Sequence, residues 1–335
     1  MKAAVWGKAL HGIVRLNEAE WRELDVIARW LIATRSAVLV MTFIPCAMAG
    51  ILAYRDGVFS WPLWALTTIG LIMAHATNNI LNDLIDYKQG VDKGNYFRAQ
   101  YGVQPLEHGL MTVWESFTYA AVTGLIALSA GAYLVYVRGG LALALMAVGA
   151  FFVLFYTWPL KYIGLGEIAV LAVWGPLMAG GAYFVIAGDW SWPVVVASLP
   201  YALGPTAVLF GKHIDKLEAD RAKRIRTLPV LLGERISRFM VLAMMALQYI
   251  IVVGLILAGF FSPLLLVVFI ALKDLWIIRT IYGNPRPETR PDPFPEDVWP
   301  LYYVAAAFLH CRNFGVLFLL GLIGDALWRS LHVVG

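Results

Sequence analysis

The sequence predicts an all-α protein, a polytopic membrane protein built as a bundle of nine transmembrane helices, and three observations carry that expectation. Its 335 residues are 60% hydrophobic and only 14% charged, with a mean hydropathy of +0.71, far too apolar for a soluble globule of ordinary composition. Nine apolar runs reach spanning length. The basic residues between those runs gather in alternate loops, as they do when helices thread back and forth across a bilayer.

Residues 1–29 carry Lys2, Lys8, Arg15, Arg22 and Arg29 among spaced Val, Leu, Ile and Trp, with Asn17-Glu18-Ala19-Glu20 as a helix start. This is the pattern of an amphipathic arm lying at the membrane interface. The first long apolar run begins near Leu31 and has no small-residue cleavage site behind a short core, so the arm is not read as a secretory signal and is expected to stay cytoplasmic. Residues 30–335 are expected to form the intramembrane domain. Its nine runs are 31–54, 62–87, 113–137, 140–158, 166–187, 193–213, 237–260, 263–282 and 299–327, each long enough to cross the hydrocarbon core. Lys88, Lys93, Arg98, Lys161, Lys212, Lys216, Arg221, Lys223, Arg224, Arg226, Arg235, Arg238, Arg279, Arg286 and Arg290 fall on one side, against Arg55, Arg138 and Arg329 on the other. The basic side is expected to be cytoplasmic, in a plasma membrane of bacterial or archaeal type. The net charge of +4 is small and uneven, so it speaks to topology and not to nucleic acid. Cys46 and Cys311 are far apart, which gives neither a disulfide framework nor zinc spacing.

The second run ends in Asn78-Asn79-Ile80-Leu81-Asn82-Asp83-Leu84-Ile85-Asp86, followed by Gly90 and Asp92. At 3.6 residues per turn Asn79, Asn82, Asp83 and Asp86 share one helical face, and Gly90 can end the helix so that Asp92 folds back. A charge near membrane depth costs about 2.5 to 3.5 kcal/mol, so this face needs a positive partner. Oxygen-only ligands favour a hard ion, and a one-sided carboxylate set suits Mg²⁺ sharing its shell with substrate phosphates. A helix end that merely meets water would not stack two Asn and two Asp on one face.

The loop Lys212-His213-Ile214-Asp215-Lys216-Leu217-Glu218-Ala219-Asp220-Arg221-Ala222-Lys223-Arg224 falls on the same side. Asp215, Glu218 and Asp220 supply oxygens, and the Lys and Arg can hold the remaining charge of a polyanion. Two acidic sets with cations describe a Mg²⁺-diphosphate site. Taken alone, the loop also fits helix-surface ion pairs such as Lys216 with Asp220.

The two acidic stretches, the second running into Arg226-Thr227-Leu228-Pro229-Val230-Leu231-Leu232-Gly233, resemble those of the UbiA-type intramembrane prenyltransferases. Arg29-Trp30-Leu31-Ile32-Ala33-Thr34-Arg35 is similar to the start of their first helix. The stretch Phe155 to Glu167, with Trp174-Gly175-Pro176-Leu177-Met178, resembles the menaquinone-type branch, whose members prenylate 1,4-dihydroxy-2-naphthoate. The resemblance covers residues 29–325. It implies nine helices around a central cavity in which a polyprenyl diphosphate binds through Mg²⁺ and passes its chain to an aromatic acceptor. Asn79, Asp83, Asp86 and Asp92 then match the first metal and diphosphate motif, and Asp215 with Asp220 the second. The second motif departs from the usual Asp-x-x-x-Asp, since Asp215 and Asp220 are five apart with Glu218 between them. Gln104-Pro105-Leu106 stands where relatives often carry Arg-Pro-Leu, so one basic contact is either missing or replaced by Arg98, and Ser36 stands where Pro is common.

In this reading Asp83, Asp86, Asp215 and Asp220 ligate metal, and Asn79, Asn82, Lys88, Asp92, Arg98, Lys161, Lys212 and Arg224 contact diphosphate. Tyr156 faces the allylic cation, although an interfacial belt tyrosine fits its position equally well. Arg35 is either the cation for an acidic acceptor or a membrane anchor. His75, one turn before Asn79, is better explained by a bond within the bundle than as a base. Lys273 and Asp274 either pair locally or shape the acceptor pocket. Other acceptors remain open, namely 4-hydroxybenzoate, homogentisate or a glycerophosphate ether. Buried acids also mark cation-coupled transporters, but these acids sit at one membrane side and the two halves show no matching broken helices.

Overall fold

The computed structural model describes residues 2–12, 14, 16–91, 93, 103–292, 294–296 and 298–332, and these contain helices and no strands. Six helical rods are long and apolar enough to cross a membrane: Ser36–Arg55, Val113–Arg138, Gly166–Ala187, Trp192–Asp215, Glu234–Leu257 and Tyr302–Leu331. The three remaining expected runs are helical too, at Trp61–Lys88, Gly140–Phe155 and 263–283, but none meets that test, so among the described residues six of the nine expected spans meet it by length and composition.

Chain ends of these helices follow from local chemistry. Asn17 caps Glu18–Arg22 in a reciprocal box with Glu20, and Thr112 does the same with Glu115 for the 113–138 helix, each box satisfying two N–H groups that a helix start leaves open. The 61–88 helix stops before Gly90, whose φ of +67° suits a residue without Cβ, and the Val91 N–H then donates to the Asp86 carbonyl at 2.9 Å. Pro176 lies within a π-helical turn, Val173–Gly180, where its missing N–H is accommodated by the wider winding.

The 192–215 helix is the axis of the bundle, with 78% of its apolar window buried against 22% for the peripheral 113–138 helix. Tyr201 and Ala197 on that axis pack with Met48 and Leu52 of the first rod and with Phe314 and Phe318 of the last. The basic loops meet at one end of the bundle. Tyr162 donates to Gln89, Lys223 to the carbonyls of Val91 and Lys93, and Arg286 to the carbonyl of Asp215. At the other end Arg55 donates to the Phe260 carbonyl, Tyr183 to Asp56, and Arg138 to the Val185 and Ile186 carbonyls.

The amino-terminal arm folds over the loop end as three short helices, Lys2–His11, Glu18–Arg22 and Val26–Ala33, around the buried Trp21. The Ser36 hydroxyl donates to the Ala9 carbonyl at 2.9 Å. Proline at 36 has no group to make that bond.

Candidate active site

The polar face of the 61–88 helix is a set of struts, each tied to a different segment. The Asn78 amide donates to the Val153 carbonyl at 2.9 Å, Asn79 to the Thr34 carbonyl at 2.9 Å, and Asn82 to the Thr157 hydroxyl at 3.0 Å. Asp83 is ion-paired with Arg35, which takes left-handed backbone at φ +55° just before the first spanning rod. Asp86 accepts from the Lys161 ammonium at 2.7 and 3.0 Å, with both side chains buried. Polar contacts of this kind are the way an ionisable group persists at membrane depth.

Beside this face opens a cavity of about 1750 Å³. Asn79, Asn82, Asp83, Arg35 and Lys212 line its loop end, Tyr156 borders it, and Leu134, Leu145, Met146 and Val185 are among the residues that wall it further in. Residues of the arm, Lys8, Ala9 and Leu24 among them, line it as well. His75 lines it but is hydrogen-bonded through Nδ1 to the Thr42 hydroxyl at 2.8 Å, with its ring edge-on to Trp174.

Not every expected residue reaches the cavity. Asp86 and Lys161 are turned to each other outside its lining. Lys88 and Arg224 are exposed and also outside it. Asp215 is buried, and its two oxygens accept the Tyr303 and Val304 N–H groups at 3.0 Å each, capping the last helix. Asp220 is buried beside Lys216 at 3.4 Å. Glu218 is exposed, paired with Arg221 at 2.8 Å. Asp274 accepts from Asn313, and neither it nor Lys273 lines the cavity. Asp92 and Arg98 lie outside the described residues.

At the first motif the Asn82 Oδ1 is a buried oxygen without a partner, next to the cavity-lining carboxylate of Asp83. An oxygen-only set of this kind suits a hard divalent cation. At the second motif the oxygens of Asp215 accept backbone N–H groups, and one oxygen of Asp220 lies 3.4 Å from the Lys216 ammonium. Among the described residues no three of His, Cys, Asp and Glu form a ligand cluster.

The loop contacts separate the two rival carboxylates of the second motif. Glu218→Gln is expected to change stability by less than about 1 kcal/mol, as for other solvated ion pairs, and to leave turnover near wild type. Asp220→Asn removes the charge facing a buried ammonium and is expected to lower the yield of folded protein. Parallel turnover and thermal-unfolding assays check this; a damaging Glu218→Gln beside a silent Asp220→Asn would reverse the assignment.

Three features had not been singled out from the sequence. Glu167 and His213 form a buried pair at 2.6 Å that joins two loop-end segments. Lys223 bridges the two acidic stretches. Arg312 lines the cavity from within the last helix. The signal for Arg312 was available, because a basic residue interrupting an apolar run is a functional candidate by default.

Comparison with known proteins agrees with this architecture. UbiA prenyltransferase domain-containing protein 1 of Rattus norvegicus is 28% identical over 250 residues, covering 71% of this chain and 70% of that protein. The 2-carboxy-1,4-naphthoquinone phytyltransferase of Synechocystis is 26% identical over 235 residues, covering 68% of this chain and 74% of that protein. The solved structure of a UbiA homolog from Archaeoglobus fulgidus bound to GPP and Mg²⁺ shares the fold at a TM-score of 0.51 and 16% identity, over 86% of this chain and 98% of that one. Residues 43–293 match the UbiA prenyltransferase family itself. A helical bundle around a cavity with an Asn and Asp face at its loop end, and a family match over most of its length, make this chain a prenyltransferase belonging to the UbiA family.

Proposed function

We propose that the protein transfers a polyprenyl group from its diphosphate to an aromatic quinone precursor, with 1,4-dihydroxy-2-naphthoate as the acceptor. The observation that carries this is the cavity itself. One end presents Asn82, Asp83 and Lys212, and the space beyond is walled by side chains such as Leu134, Leu145 and Met146, so a molecule with an anionic head and a long apolar tail matches it end to end. The Archaeoglobus homolog's GPP and Mg²⁺ support the donor, and the Synechocystis relative's carboxynaphthoquinone supports the acceptor.

Asn82 and Asp83 would hold Mg²⁺, which when bound supplies charge neutralisation for the diphosphate and its departing oxygen. Lys212 adds a cation at the same end. The buried Asp86–Lys161 pair fixes the helix that carries these groups. Tyr156 offers its ring face to a developing allylic cation, and the arm residues over the loop end keep bulk water from it. The basic loops support a cytoplasmic position for this end.

Attack at the carboxyl-bearing carbon of the naphthoate releases CO₂. Purified protein given Mg²⁺, geranylgeranyl diphosphate and 1,4-dihydroxy-2-naphthoate is therefore expected to yield a prenylated product lighter by that carboxyl group, read by mass spectrometry. Prenylation of a glycerophosphate and of none of 1,4-dihydroxy-2-naphthoate, 4-hydroxybenzoate or homogentisate would overturn the aromatic acceptor.

A further inference from the structure

We infer that Arg312 binds the carboxylate of the acceptor inside the cavity, an assignment that rests on the aromatic-acid reading above. On the last helix Val304, Ala305, Phe308, Leu309 and Arg312 all line the cavity, and their spacing puts them on one face. Arg312 is ten residues from the start of that helix at Tyr302, roughly 15 Å along its axis at 1.5 Å per residue. It therefore sits well inside an apolar span.

Its charge lacks a counterpart among the described residues. Arg35 is paired with Asp83, Arg55 and Arg329 with Asp325, and Arg238 with Glu234. No described carboxylate pairs with Arg312, and its side chain is exposed. An arginine within a membrane span ordinarily faces a cavity and finds an anion there. Since the described residues provide none, the anion is assigned to the ligand.

The diphosphate is the wrong anion for this position. A methyl group added at Gly211 would fall 2.9 Å from the Val304 Cα, and one at Gly204 would fall 2.9 Å from the Cys311 sulfur, which aligns the two antiparallel helices. Lys212 thus lies near the level of Tyr303, and Arg312 near that of Leu203, roughly 13 Å deeper at 1.5 Å per residue. The diphosphate belongs with Lys212 and Asp83. A second anion, held deeper by a planar guanidinium whose fork matches two carboxylate oxygens, fits an aromatic acid lying beyond the reacting carbon.

The test compares wild type, Arg312→Gln and Arg312→Lys in detergent with Mg²⁺ and geranylgeranyl diphosphate. Acceptors are 1,4-dihydroxy-2-naphthoate and the neutral 1,4-dihydroxynaphthalene. Arg312→Gln is expected to raise KM for the acid about 10- to 100-fold, the range for losing a charged hydrogen-bonded partner, with KM for the diphosphate within about 2-fold. Preference for the acid over the diol should fall by the same factor. Arg312→Lys, which keeps the charge and loses the fork, should fall between, and it reads the effect if Arg312→Gln does not fold. An unaltered KM and preference in both variants would overturn the assignment, as would equal rises in both KM values. A change confined to the response to added phosphatidylglycerol would give Arg312 to a lipid phosphate and also overturn it. A wild type inactive with every aromatic acid would instead overturn the acceptor reading itself.

Discussion

Asp83→Asn is expected to lower kcat by about 10²- to 10³-fold, the range seen when a preorganised electrostatic group is lost from a reaction centre, while the purified protein still runs as a folded species. Asp83 is the motif carboxylate that lines the cavity, beside the unpartnered oxygen of Asn82. The amide keeps the shape and removes the charge that a divalent cation requires. Its other partner, Arg35, is about a third exposed, so solvent can take up the charge released on that side. Turnover with size-exclusion analysis separates chemistry from folding. Retention of more than a tenth of wild-type kcat, or full activity in EDTA, would remove Asp83 from the metal site.

Lys161→Met is expected to cost about 3 to 5 kcal/mol, because it leaves the buried Asp86 carboxylate without its cation. The double variant Lys161→Met/Asp86→Asn removes both charges and should recover most of that loss. Apparent Tm in one detergent at a fixed scan rate reads both. If Lys161→Met unfolds like wild type and loses only activity, Lys161 acts on the diphosphate directly and the pair is not structural. The comparison matters because Lys161 was expected to contact diphosphate, and the structure places it beyond the cavity lining.

What could be read in advance was what local chemistry determines. Gly90 ends its helix, and the Asn17 to Glu20 start is a capping box, since both depend on a few neighbouring backbone groups. Family and fold were legible for a related reason: amides and carboxylates on an apolar helix are too costly to be incidental. The number of spans was harder. The 61–88 helix misses the apolarity test even ahead of its charged residues, because His75, Asn78 and Asn79 dilute its apolar stretch. The 140–158 run leaves the α-helix after Phe155, ahead of Pro159, so its helix is 16 residues long. The 263–282 run winds as a 3₁₀ helix to Asp274 before turning α-helical.

The second acidic loop shows the limit of spacing. Exposure of Glu218 follows from Arg221 three residues on. The use of Asp215 depends on Tyr303 and Val304, some ninety residues away, and no local pattern contains that information.

The cap on the last helix has a geometric corollary. Asp215 pins the first turn of a rod on which Arg312 rides, so the guanidinium's depth is graduated by the backbone like a mark on a ruler. Removing one residue between Val304 and Arg312 would draw the mark back by about 1.5 Å and swing it by about 100°, away from the cavity and toward the packed face that holds Ala307, Cys311 and Phe314. Length in that segment is therefore as constrained as the identity of the side chain, whatever residues fill the positions between.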